Sequence, residues 1–316
     1  MTAALRRNEP LTDQTWREFL AIPANKVYVK AVFGSDTADL GYYRRALQTV
    51  YMPRYDSLLQ AKLTAKRWYY VLINDYKEHE QEYRKVLAET AKNPAYLEQM
   101  DSYAYEYLPT RDHKKVADLR LAYVAIGNDA TSQSEGIVFS LRAARDWSDM
   151  RPGALEAHEM HHRLRSTKDW NIAPADDPLL TGLYLALNEG LADLTDKEVM
   201  LEQSADSADL RNWLLKPTPA VIHKIDSTIQ VLAAGGPVTP EKFYRRLTNG
   251  SNGHLPGFYM AYTILRNGYL KPMLDHANDP IAFALLYQKA ATKDKDHQHP
   301  PTFSPTSVSY LKQPAP

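Results

Sequence analysis

The chain contains no cysteine, which excludes a disulfide framework and any metal site built on thiolates. It also lacks net charge: 38 Lys and Arg face 38 Asp and Glu among 316 residues. That balance gives no electrostatic case for a nucleic-acid partner or for an anionic membrane surface. Long apolar runs are missing too. The most apolar stretches, around residues 179–187 and 258–265, fall well short of the roughly 20 residues a membrane span requires, so none is expected. The N-terminal MTAALRRNEPLTDQTWREFL has an early basic pair but no apolar signal-peptide core. No export signal is visible, and the location is left open, extracytoplasmic if a leader was removed ahead of Met1. No repeat of fixed period and no Gly/Ser-rich linker is apparent. Oligomeric state is not legible.

What is present is a globular composition, with 44% hydrophobic residues, enough for a proper core. Apolar and aromatic residues recur at helical spacing over residues 37–52, 55–76 and 93–108, many of them tyrosines that suit half-buried helix faces. The texture changes near Asp118. LRLAYVAIG and GIVFSLR are short β-branched and aromatic runs separated by the polar, turn-forming NDATSQSE, which predicts a small hairpin or sheet. Helical patterning returns over 153–165, 178–200, 219–234, 240–247, 257–270 and 280–291. The expectation is a mainly α chain with a small β-sheet (α+β). It divides softly into a helical scaffold over 1–115 and a site-bearing part with C-terminal helices over 116–316, within one compact unit. The tract KDKDHQHPPTFSPTS reads as an exposed polar tail, with His297 and His299 solvated.

Three of the ten histidines fall in one short stretch, Ala157-His158-Glu159-Met160-His161-His162. On a helix, positions 158 and 162 differ by about 400° of rotation, so both imidazoles leave one face about one turn apart and can share an ion. This is the H-E-x-x-H arrangement. Ala157, Met160 and Leu164 form an apolar stripe on the same helix, which gives it a core face to hold it rigid. Neutral imidazoles suit one Zn²⁺, and two of them leave a tetrahedral site half filled. With a third protein ligand, the fourth position stays open for a water whose pKa falls toward about 7. Glu159 can then take that water's proton and pass it to the leaving amine. The motif alone is only moderately specific, so its weight rests on a third ligand being found downstream.

A metzincin would carry glycine at 165 and histidine at 168, where this chain has Arg165 and Lys168, and the inverted H-x-x-E-H order is absent. Instead a second helix is predicted, opening on Asp177-Pro178 as cap and first residue and carrying Asn188-Glu189-Gly190-Leu191-Ala192-Asp193. Glu189 and Asp193, at i and i+4, share a face, and Gly190 and Ala192 keep bulk away where another helix could approach. Glu189 is the candidate third ligand. Asp193 is the candidate carboxylate that orients His158 through its second ring nitrogen. Together these predict a zincin-like pair of active-site helices.

His158-Glu159-x-x-His162 followed by Asn188-Glu189-x-x-Ala192-Asp193 resembles the gluzincin metallopeptidases, the thermolysin-like clan. The chain looks most similar to a bacterial group described only as zinc-dependent peptidases. The resemblance covers roughly residues 120–265 and departs in a longer stretch between the motifs, around residues 166–177. It implies one zinc ion, Glu189 as third ligand, an Asp supporting a histidine, and a peptide or protein substrate hydrolysed by metal-activated water. It also implies a Tyr or His donor toward the developing oxyanion. In Gly253-His254-Leu-Pro256-Gly257-Phe258-Tyr259-Met-Ala-Tyr262 the candidates are Tyr259, then Tyr262, then His254. A sheet edge before the first motif would pair with extended substrate, and Gly136, Ile137 and Val138 are the natural segment.

Other readings share parts of this pattern. A zinc-containing binding or scaffold protein would keep the ligands without turnover. A di-iron bundle would use Glu159 and His162 as one E-x-x-H pair, but needs a second such pair that the remaining histidines do not supply. A helical interaction protein would hold no metal.

Overall fold

The structure is a computed structural model that describes residues 1–34, 37–90, 94–115, 119–148, 151–166, 177–203, 211–236, 247–294 and 299–313. It is mainly helical with one small sheet. Among the described residues no helix is long and apolar enough to cross a membrane. Two compact units are present, one formed by Met1–Glu98 with Ala117–Glu159 and the other by Gln99–Val116 with Met160–Pro316. Two of these boundaries fall inside helices, Pro94–Glu106 and Ala154–Leu164.

In the first unit, helices Thr37–Tyr51, Asp56–Thr64 and Trp68–Glu78 surround a core that includes Tyr28, Tyr43, Ala46, Val50, Leu72 and Ile73. The tyrosines pack edge to face, Tyr43 against Tyr69 at 5.3 Å and against Phe33 at 5.9 Å, the geometry their ring quadrupoles favour. The single helix expected over 55–76 is two helices. Lys66 takes a left-handed φ of 49° between them. Arg67 N–H returns to Lys62 O at 3.0 Å and Lys66 N–H to Leu63 O at 2.9 Å, the paired bonds of a Schellman ending.

The sheet holds β1 (Leu121–Val124), β2 (Ala130–Gln133) and β3 (Gly136–Ser140) in the order β1-β3-β2. The two apolar runs do not form a hairpin with each other. β1 lies parallel to β3, with Tyr123 opposite Phe139, and the antiparallel partner of β3 is β2, drawn from the polar stretch expected to be a turn. β3 is buried along its whole length while β2 is half-buried, which explains why an apolar strand could be read from sequence and Ala-Thr-Ser-Gln could not.

The second unit centres on a 26-residue helix, Pro178–Gln203 (the long helix), packed against His254–Arg266 (the His254 helix). Asp177 caps the long helix as expected, accepting from Leu180 N–H at 2.8 Å. Leu183, Leu187, Leu191 and Leu194 face Phe258, Ala261 and Ile264 in a core shared with Ile222, Phe283 and Tyr287; each fully buried leucine contributes about 1.5–3 kcal/mol. The polar tail expected over 293–307 is corrected in part: His299 is exposed, but Phe303 is a core residue, and helix Pro305–Leu311, whose Leu311 joins the same core, packs on Thr218–Ala233. The burial of one large apolar side chain outweighs its charged and proline-rich surroundings. His297 and the helix expected over 240–247, apart from Leu247, lie outside the described residues.

Candidate metal centre

The first motif lies on helix Ala154–Leu164 (the motif helix), whose stripe Ala157, Met160 and Leu164 is buried. Polar anchors fix it from both ends. Near its start, the buried Glu156 accepts hydrogen bonds from the phenols of Tyr96 and Tyr123, each at 2.8 Å. Burial pushes that carboxyl up, against the two hydrogen bonds that favour its ionised form. Just past its end, Asp112 accepts from Ser166 N–H at 3.1 Å and from the Ser166 hydroxyl. His161 is fully buried, and its Nε2–H donates to Tyr107 O at 3.1 Å; a carbonyl can only accept, so this imidazole is tied to the scaffold.

His158 and His162, one turn apart on the other face, are the pair with ligand spacing. His158 and Glu159 are buried, and His162 is half-buried. Glu189, on the long helix, places Oε2 at 3.3 Å from His162 Nε2. Two donors bonded to one tetrahedral zinc at about 2.0–2.1 Å stand about 3.3 Å apart. One ligand atom from each of His158, His162 and Glu189 lies within 4.8 Å of the others. A set of two imidazoles and one carboxylate, without thiolate, suits a catalytic zinc with an open position.

The His254 helix begins at Gly253, whose φ of 107° is a conformation that side chains rarely adopt. A Cβ there would also lie 2.4 Å from Leu185 O. The chain therefore turns against the long helix, and His254 Nδ1 comes to 3.0 Å from both carboxylate oxygens of Asp193 and 3.6 Å from Glu189 Oε2. Burial disfavours its cation, but Asp193 and then Glu189 outweigh that and raise the imidazole above its ordinary pKa. Asp193 is itself fully buried and accepts from the Lys197 ammonium, which also reaches Asp196 at 3.1 Å. Burial alone would lower the Lys197 pKa; the two carboxylates raise it well above the ordinary lysine value. Glu189, Asp193 and His254 form a second group of donor atoms within 4.8 Å, and His158, Asp193 and Asp196 a third.

The predicted residues are thus sorted. His158, His162 and Glu189 come together, and His254 joins Glu189 through the carboxylate face that Asp193 shares. Tyr259 points elsewhere: its ring lies 6.4 Å from that of Tyr287. Tyr262 stacks on Phe258 at 5.4 Å. The edge expected at Gly136, Ile137 and Val138 is corrected, because β3 is the middle strand and pairs on both sides. Its backbone has no side for a substrate strand; the outer edges belong to β1 and β2. Sequence reasoning missed the buried Lys197 and Asp196, and Arg165, whose hydrogen bonds reach Asn188. The available signal was Asp193, Asp196 and Lys197 at i, i+3 and i+4 amid leucines, where charges are expected to pair.

No curated protein and no solved structure matches the chain. Residues 16–296 match the model of the family described as "Putative zinc dependent peptidase (DUF5700)". That match takes in both motif helices and most of the chain around them, and the protein belongs to this family.

Proposed function

We propose that the protein is a zinc metallopeptidase of the gluzincin type, in which His158, His162 and Glu189 hold one ion and Glu159 is the general base. The observation that supports this best is the convergence of two imidazoles at i and i+4 with a carboxylate from the long helix, all within 4.8 Å, in a family described as zinc dependent. When bound, the ion would lower the pKa of a water toward about 7 and polarise the scissile carbonyl.

Glu159 neighbours the first imidazole in sequence and is buried. It takes a proton from the attacking water and returns it to the amine nitrogen as the C–N bond breaks, so that hydroxyl ends on the carbonyl carbon and hydrogen on nitrogen. His254 replaces Tyr259 and Tyr262 as first choice for the oxyanion donor. Its Nδ1–H is directed at Asp193; as the imidazolium that Asp193 and Glu189 favour, the ring also carries an Nε2–H, which would donate to the substrate oxygen as charge gathers there, and such a donor contributes about 3–4 kcal/mol. Asp193 orients His254 and, with a carboxylate oxygen within 4.8 Å of a ring nitrogen of His158, steadies that ring too.

Glu159→Gln tests this reading. The variant should keep the parent's zinc content and lose peptide hydrolysis by about 10²–10⁴-fold, measured on a mixed peptide library. Parent-level hydrolysis by the variant would end the proposal.

A further inference from the structure

Arg165 is a buried cation three residues beyond His162, and a charge in such a place demands partners. Its Nη1–H donates to Ala277 O at 2.8 Å, and its Nη2–H donates to Asn188 Oδ1 and approaches the Tyr184 hydroxyl at 3.5 Å. The guanidinium also lies over the Tyr184 ring, 5.5 Å from its centroid. None of these partners is a carboxylate. The charge is instead directed through Asn188. Arginine has donors only, so it dictates which end of the Asn188 amide faces it. With Oδ1 turned to Arg165, Nδ2–H is turned to Glu189 and donates to Oε1 at 3.1 Å. Oε1 is thereby engaged, and Oε2 is the oxygen that faces His162, at 3.3 Å.

The geometry points to Arg165 as a positioning residue for the metal ligand Glu189, acting through the Asn188 amide so that the carboxylate presents Oε2 toward His162. This rests on the reading of Glu189 as a zinc ligand. The relay joins residues whose sequence positions do not suggest contact: the position after the motif helix, and the one before the ligand on the long helix. Without the guanidinium, the Asn188 amide can turn either end toward Glu189, and an amide oxygen facing a carboxylate repels it.

The test is zinc affinity of the full chain by competition with a chelator, for Arg165→Met, Asn188→Leu, the double variant and Glu189→Ala. Far-UV circular dichroism and thermal unfolding of the metal-free forms report folding separately. Each single relay variant is expected to bind zinc about 10–100-fold more weakly, with the double variant no weaker than the worse single, because both cut one relay. A purely structural role would lower the unfolding midpoint and leave the zinc affinity of the folded variants at the parent value. Asn188→Leu keeps Arg165 itself and covers the case in which Arg165→Met fails to fold. Parent-like affinity in folded Asn188→Leu, with affinity lost in Glu189→Ala, overturns the relay and spares the ligand assignment. Parent-like affinity in Glu189→Ala overturns the ligand assignment, and the relay with it.

Discussion

Gly190 and Gly257 meet backbone to backbone: a Cβ on Gly190 would lie 2.4 Å from Gly257 O, and one on Gly257 would lie 2.2 Å from Ala186 O. Both obstacles are backbone, which cannot swing aside as the end of a side chain can. The approach sets the long helix and the His254 helix close enough for His254 to reach Asp193. Alanine is the better helix former by about 1 kcal/mol, so the sign of its effect is informative. Gly257→Ala should destabilise the protein by about 1–3 kcal/mol in urea unfolding. It should also reduce peptide hydrolysis more than zinc affinity, since it displaces His254 rather than a ligand. A variant more stable than the parent would contradict this crossing.

His254→Ala should lower kcat by about 10²–10³-fold while zinc content stays at the parent value. Tyr259→Phe, which keeps the ring against Tyr287, should leave kcat within about twofold, since it removes no donor from the reacting oxygen. The reverse ranking would return the role to the tyrosine.

Lys197 is buried between Asp193 and Asp196. Lys197→Met removes the cation shared by two buried carboxylates, leaving Asp193 with His254, and should cost about 3–5 kcal/mol of stability, read from the urea midpoint. A shift under about 1 kcal/mol would mean that water reaches the pair.

Acid should weaken the docking of the C-terminal helix through Asp226. That carboxylate accepts from Ser304 N–H at 2.8 Å and from the Gln230 amide at 2.7 Å. Burial raises its pKa, but hydrogen bonds from Ser307, Ser304 and Gln230 together outweigh it and hold the group below the ordinary carboxylate value. With the folded pKa depressed, the unfolded chain takes up the proton first on acidification. The stabilisation is therefore complete above the unfolded value of about 3.9 and is lost as pH falls through the folded one. Unfolding free energies of the parent and Asp226→Asn should differ near neutrality and converge in acid. A difference independent of pH would contradict the assignment.

The two motif helices were legible because local rules suffice for them: an apolar stripe, an Asp-Pro start and histidines at i and i+4. What sequence hid was non-local. Helical periodicity places Asp193 on the face of Glu189 but cannot say that His254 would lie opposite it. The same periodicity could not tell that Tyr259 faces Tyr287. β2 escaped notice because Ala-Thr-Ser-Gln has no apolar alternation, and the middle position of β3 depends on pairings across the sheet. Phe303 was masked by charged and proline-rich neighbours. Arg165 served in the sequence only to exclude a metzincin, since nothing local announces that a charged side chain will be buried.

The central claim is that Glu189 joins His158 and His162 on one ion. Zinc per chain, measured by elemental analysis after dialysis against a weak chelator, tests it most directly in the parent, His162→Ala and Glu189→Ala. The account predicts one ion per chain in the parent and loss of it in both variants, each still folded by circular dichroism. A folded Glu189→Ala that retains the parent's full complement would contradict it.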